Sequence, residues 1–177
     1  GTLITQGTNI SPVVFTSSNT APAAGDWKGI IFAAGAVGST IASDNYISGS
    51  IIDGTRISFA GPGITTSASL YIANSTVQNN RSPVAGGGIS ATIAAGKQLV
   101  IKNSLILNNT TVTGSNLYGP GIYSTERTAI YSSRIAGNSG ISTANNFVGG
   151  GIYIAGNGSI LSSNQILQNS ISTTSYC

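Results

Sequence analysis

Four carboxylates are all the side-chain acid this chain holds: Asp26, Asp44, Asp53 and Glu126. Acid–base cleavage of a glycosidic bond needs two carboxylates facing across a groove, and elimination from a uronate typically needs several around calcium plus a Lys or Arg base. Asp44 and Asp53, nine residues apart, are the best remaining pair, but ordinary corner and turn roles suit Asp better at both places. Histidine is absent, which removes an imidazole base, a Ser-His-Asp triad and an ordinary zinc site. The expectation is a protein that is not an enzyme, with no catalytic residue, no metal and no cofactor.

Three aromatic residues are candidates for stacking on sugar rings. Tyr123 and Tyr153 follow glycine clusters at equivalent places, so they form either a ladder that stacks glycan or a pair that packs on itself. Trp27, the only tryptophan, either covers an open edge of the core or stacks on sugar. The single cysteine, Cys177, has no partner within the chain, which leaves an intermolecular disulfide or an incidental thiol. Six Asn-x-Ser/Thr sequons, at Asn9, Asn74, Asn80, Asn108, Asn109 and Asn157, are candidate glycosylation sites. The seven basic residues are dispersed, with no run and no interleaved aromatics, so no nucleic-acid partner is expected.

These residues must be positioned by a particular kind of backbone. Charged residues are 6% of the chain, Gly, Ser, Thr and Asn make up nearly half of it, and hydrophobic residues are 40%. Disorder goes with low hydrophobicity and high net charge, so this chain folds. β-Branched residues favour strands and Gly and Asn supply positive-φ corners, which predicts many short strands joined by tight turns. No apolar stretch is long enough to span a bilayer as a helix, and no basic segment with an apolar core opens the chain. With no methionine, the chain reads as a mature or excised product. Scarce charge, one cysteine and the sequons point to an extracellular or cell-surface location.

The pattern that organises the chain is a repeat. Gly-x-Gly-Ile clusters at Gly61–Ile64, Gly86–Ile89, Gly119–Ile122 and Gly149–Ile152 are each followed by (Asn/Ser)-(Ser/Asn)-x-(Ile/Val)-x-x-Asn, ending at Asn80, Asn109, Asn138 and Asn169. Those asparagines are 29, 29 and 31 residues apart, a solenoid period. Propeller blades need four strands and a longer repeat, and leucine-rich repeats need leucines at regular places that are missing here. What remains is an all-β, right-handed parallel β-helix of about six coils, the handedness following from the crossover rule. Val77, Ile106, Ile135 and Ile166 should stack inside, the four asparagines should ladder at a corner, and the glycines should form the sharper bend. The whole of 1–177 reads as one domain: irregular first coils over 1–60, regular coils of about 30 residues over 61–170, and a tail over 171–177.

The Gly-Gly-Gly-Ile clusters at 86–89 and 149–152, with Ile-x-x-Asn at Ile106–Asn109, Ile135–Asn138 and Ile166–Asn169, resemble the GGA(I/L/V) and FxxN repeats of polymorphic outer-membrane proteins. More broadly, residues 61–170 are similar to right-handed β-helix passengers of the pectate-lyase-like superfamily, with Gly in place of Ala and Ile or Val in place of Phe. The resemblance implies an adhesin, a surface or structural protein, or a polysaccharide lyase, though no lyase motif is matched. The repeat runs to both ends without an evident cap, and uncapped coils expose strand edges. The favoured expectation is an extracellular structural or adhesive protein, a homo-oligomer stacking head-to-tail into a filament, with polysaccharide or a cell surface as a further partner. The alternative is a carbohydrate-binding or polysaccharide-lyase-like module of a larger secreted enzyme.

Overall fold

A computed structural model describes residues 1–113, 116–143 and 147–173. Among them every regular element is a strand of two to five residues, as expected where Ile, Val and Thr runs are cut every few residues by Gly, Asn or Ser. The strands stack in parallel as a β-solenoid. One face carries Ile4–Gln6, Ile51–Asp53, Leu70–Ala73, Leu99–Lys102, Thr128–Tyr131 and Ile160–Ser162. A second carries Val13–Phe15, Thr55–Ser58, Thr76–Gln78, Leu105–Leu107, Arg134–Ala136 and Gln165–Leu167. The third carries Ile30–Phe32, Ile64–Thr66, Ile89–Ala91, Ile122–Ser124 and Ile152–Ile154.

The solenoid makes about four turns, not six. Four regular turns span residues 51–154, each with one strand on every face; Ile4–Gln6, Val13–Phe15 and Ile30–Phe32 also reach all three faces but not as a regular coil. Before them, the strands that end at Phe32 are joined by long irregular connections, and after them Ile160–Leu167 adds strands to only two of those faces. Counting repeats overstated the turns because the flanking repeats supply strands without closing a regular coil.

Parallel, in-register pairing puts like residues above one another, so the core is a set of aliphatic ladders. Ile52, Ile72, Ile101 and Ile130 stack on the first face, and Ile57, Val77, Ile106 and Ile135 on the second. Ile64, Ile89 and Ile122 stack on the third. All are fully buried, each contributing about 1.5–3 kcal/mol relative to exposure. The predicted interior ladder is seen at Val77, Ile106 and Ile135, whereas Ile166, on the last described turn, is 47% exposed.

One element breaks the parallel rule. Ser39–Ala42 and Asn45–Gly49 pair antiparallel around Ser43 and Asp44, both at positive φ, the two-residue turn whose twist suits a hairpin. The chain leaves the third face at Phe32, makes this hairpin, and returns to the first face at Ile51. The hairpin crosses the outside of the first face: Tyr46 packs on Tyr71 at 5.8 Å between ring centroids, and Lys102 Nζ donates to Asn45 Oδ1 at 3.0 Å. Farther along, Asp44 reaches Arg127 and Tyr131. Val100 and Ala129 lie in the outward register of that face, yet both are fully buried.

Candidate functional site

The repeat motif resolves residue by residue into a corner. Its first position (Asn74, Asn103, Ser132, Ser163) adopts positive φ, as does the residue just before each terminal asparagine (Asn79, Asn108, Gly137, Gln168). The second position turns inward and accepts from the turn before: Ser75 N–H donates to Ser104 Oγ at 3.2 Å, Ser104 N–H to Ser133 Oγ at 3.1 Å, and Ser133 N–H to Asn164 Oδ1 at 2.9 Å. The terminal asparagines form the predicted ladder. Asn80 Nδ2 donates to Asn109 Oδ1 at 2.9 Å, Asn109 Nδ2 to Asn138 Oδ1 at 3.0 Å, and Asn138 Nδ2 to Asn169 Oδ1 at 2.9 Å.

Oδ1 of Asn109, Asn138 and Asn169 also accepts the backbone N–H of the preceding ladder asparagine, Asn80 Oδ1 accepts the Ala60 N–H, and each Nδ2 donates to a strand carbonyl, at Ile57, Val77, Ile106 and Ile135. Asn80, Asn109 and Asn138 are fully buried, and buried amides persist only when satisfied in this way. The glycine clusters do two jobs rather than the one expected of them. Gly86, Gly119 and Gly149 make the bend at positive φ. The last glycine of each cluster instead leaves room for the ladder: a Cβ on Gly88 or Gly121 would sit 2.9 Å from Asn109 or Asn138 Nδ2, and one on Gly63 2.8 Å from Asn80 Nδ2.

The corner settles two of the sequons. Asn80 and Asn109 are buried with their amides engaged, so neither can serve as a glycan acceptor in the folded protein; that expectation is corrected by the ladder itself. Asn9, Asn74, Asn108 and Asn157 are exposed. Cys177 lies outside the described residues.

The aromatic candidates separate. Trp27 Nε1–H donates to the Ser58 carbonyl at 2.9 Å and the ring packs against the core beside the first turns. Tyr123 and Tyr153 are in register on the third face, their rings stacked at 5.5 Å with 10° between planes. Tyr118, which sequence reasoning missed, joins them at 5.9 and 4.9 Å. A groove of about 330 Å³ runs beside this cluster, between Tyr118 and Tyr123 on one side and Val84, Ser90 and Thr92 on the other. Burial holds the Tyr123 hydroxyl above its ordinary pKa, with the neighbouring tyrosines adding to the effect.

The carboxylates are not gathered. Asp26 accepts from Ser17 Oγ at 2.5 Å and from the Ala23 N–H at 3.0 Å, which lowers its pKa. Asp53 accepts from Asn74 Nδ2 at 2.8 Å. Asp44 takes a two-pronged bond from Arg127, at 2.6 and 3.0 Å, and a third from Tyr131 Oη at 2.7 Å. The hydrogen-bonded guanidinium holds Asp44 below its ordinary value, and the same carboxylate raises Arg127 and Tyr131. Arg127 also donates to Gln98 Oε1. Among the described residues no three acids or thiols cluster as a metal site would require, and no helix is long and apolar enough to cross a membrane.

The chain matches no family model, no curated protein and no solved structure. Its reading therefore rests on this geometry. The geometry offers a hydrogen-bonded corner that joins turns, a strapped first face, a tyrosine-lined groove on the third face and an aliphatic face at the last described turn. The hairpin was missed because its contacts join residues 83 and 87 apart; the usable signal was the Ser43-Asp44 pair between two β-branched runs.

Proposed function

We propose that this protein is a structural or adhesive element of an extracellular or cell-surface assembly, lengthened when a second copy stacks head-to-tail on its last described turn. The observation that carries the reading is the exposure of that turn. Ile160, Leu161, Ile166 and Leu167 are 39%, 46%, 47% and 43% exposed, whereas Ala129, Ile130, Ile135 and Ala136, their register partners one turn earlier, are 5% exposed or less. Among the described residues the strands that carry them pair on one side only, as do Ile4–Gln6 and Val13–Phe15 at the opposite end. Parallel strand edges at the two ends of the described solenoid are complementary by construction, and joining them gives an open rather than a closed assembly. With 6% charged residues and a net charge of +3, little repulsion opposes the contact.

The resemblance to polymorphic outer-membrane repeats, the exposed sequons and the scarcity of charge support the location. The separate commitments of Asp26, Asp44 and Asp53 support a non-enzymatic role over the lyase-like alternative. Light scattering and negative-stain micrographs over rising protein concentration test the reading: assemblies should grow along one axis, and Leu161→Lys with Ile166→Lys should abolish them while circular dichroism still shows the folded β-solenoid, with only a modest fall in melting temperature. A chain that stays monomeric throughout, or assembly that survives both lysines, overturns it.

A further inference from the structure

Alternation on the third face points one side chain per strand outward, and the outward ladder runs Ile31, Thr65, Ser90, Tyr123, Tyr153. Tyr153 stacks on Tyr123 from one side. The other side of the Tyr123 ring meets Ser90, whose side chain is too small to cover it. This is where the groove lies, with Thr92 and Asn116 at its margin and Tyr118 as a second wall. Asn116 Nδ2 donates to Tyr118 Oη at 3.2 Å, which braces that wall. Thr92 and Asn116 are exposed and Ser90 is half-buried.

An aromatic face bordered by hydroxyls and an amide is a surface for a ring with an apolar flat side and a polar rim. None of the lining residues carries a charge, so nothing there would compensate a carboxylate or phosphate brought out of water. At about 330 Å³, the groove is at the small end of ligand sites, which run from roughly 300 to 1,000 Å³. We infer that the groove between Ser90 and Tyr123 is a binding subsite for a neutral sugar ring, held flat on Tyr123 and hydrogen-bonded by Ser90, Thr92 and Asn116. The subsite does not depend on end-to-end stacking. It uses one tyrosine face, because Tyr153 occupies the other.

The full chain is titrated by calorimetry and NMR with neutral gluco-, xylo- and manno-oligosaccharides, with an oligogalacturonate, and with an apolar peptide. A neutral oligosaccharide should bind with a dissociation constant of about 1 mM or tighter. Tyr123→Ala should weaken binding about tenfold, the worth of one stacked face, while Tyr123→Phe retains it. Ser90→Tyr extends the tyrosine ladder over the free face and should abolish binding without altering the circular dichroism. The inference is overturned if no neutral oligosaccharide binds at about 10 mM, if binding survives Ser90→Tyr, or if the galacturonate or the peptide binds more tightly than every neutral sugar.

Discussion

The asparagine corner and the hairpin strap both tie successive turns together, and they do it in opposite ways. At the corner each turn repeats one arrangement, and the contacts join neighbouring turns through amides that are fully buried at Asn80, Asn109 and Asn138. The strap uses a single non-repeating element, ending in an ion pair whose Asp44 and Arg127 side chains are 13% and 30% exposed. A buried amide has no water to fall back on, so losing a partner costs its full desolvation, whereas a partly exposed ion pair is screened. The difference teaches that periodic contacts set whether the solenoid closes at all, and the strap adds a smaller, conditional increment on one face.

That contrast can be broken or sharpened by substitution. Asn109→Ala should have the largest effect, about 3–5 kcal/mol by denaturant unfolding, since it takes the acceptor from the buried Asn80 N–H and one bond each from the Asn80 amide, Asn138 Oδ1 and the Val77 carbonyl. A loss under about 1 kcal/mol would place the corner no higher than an ordinary exposed polar contact. Next comes Gly88→Ala, at about 1–3 kcal/mol, because its methyl would press on Asn109 and on the Gly121 carbonyl, 2.6 Å away. The double variant with Asn109→Ala should be clearly less than additive, since removing the amide makes room.

Asp44→Asn should cost about 1–2 kcal/mol at neutral pH. Its dependence on pH has a definite sign. Asp44 is held below its ordinary 3.8 in the folded state, so its contribution is present above about pH 4 and fades as pH falls through the depressed folded value. Wild type and variant should therefore converge in stability towards acid pH; parallel curves down to about pH 2 would show that the ion pair is not what Asp44 supplies. The smallest effect belongs to Asn169→Ala, roughly 1 kcal/mol or less, because its ladder ends there among the described residues and it is already partly exposed. An Asn169 loss equal to that at Asn109 would mean the last turn is covered in solution, as a stacked second copy would do.

Much of the corner was legible because its causes are local. Aliphatic residues at strand positions, a small polar residue before them and Asn three places after repeat with each turn, and each type has one conformational or hydrogen-bonding reason to be where it is. The two glycine roles were harder to separate, since bend and clearance both select Gly and only the packing of Gly63, Gly88 and Gly121 against the asparagine amides distinguishes them. Asn80 and Asn109 read equally well as sequons and as ladder members, until burial excluded the first reading.

By itself, then, the order of residues determined an all-β coil, its period of about 30, the aliphatic ladders and the corner asparagines, because alternation and turn chemistry act over a few residues and repeat. Only the tertiary structure decided the rest. It folded residues 39–49 back over three later turns, gave Asp44 to Arg127 rather than to another carboxylate, stacked Tyr153 on one face of Tyr123 while leaving the other to a groove, and exposed the aliphatics of the last described turn. Each of these depends on what another turn places above or across a residue, and that neighbour is fixed by stacking in space rather than by adjacency in the chain.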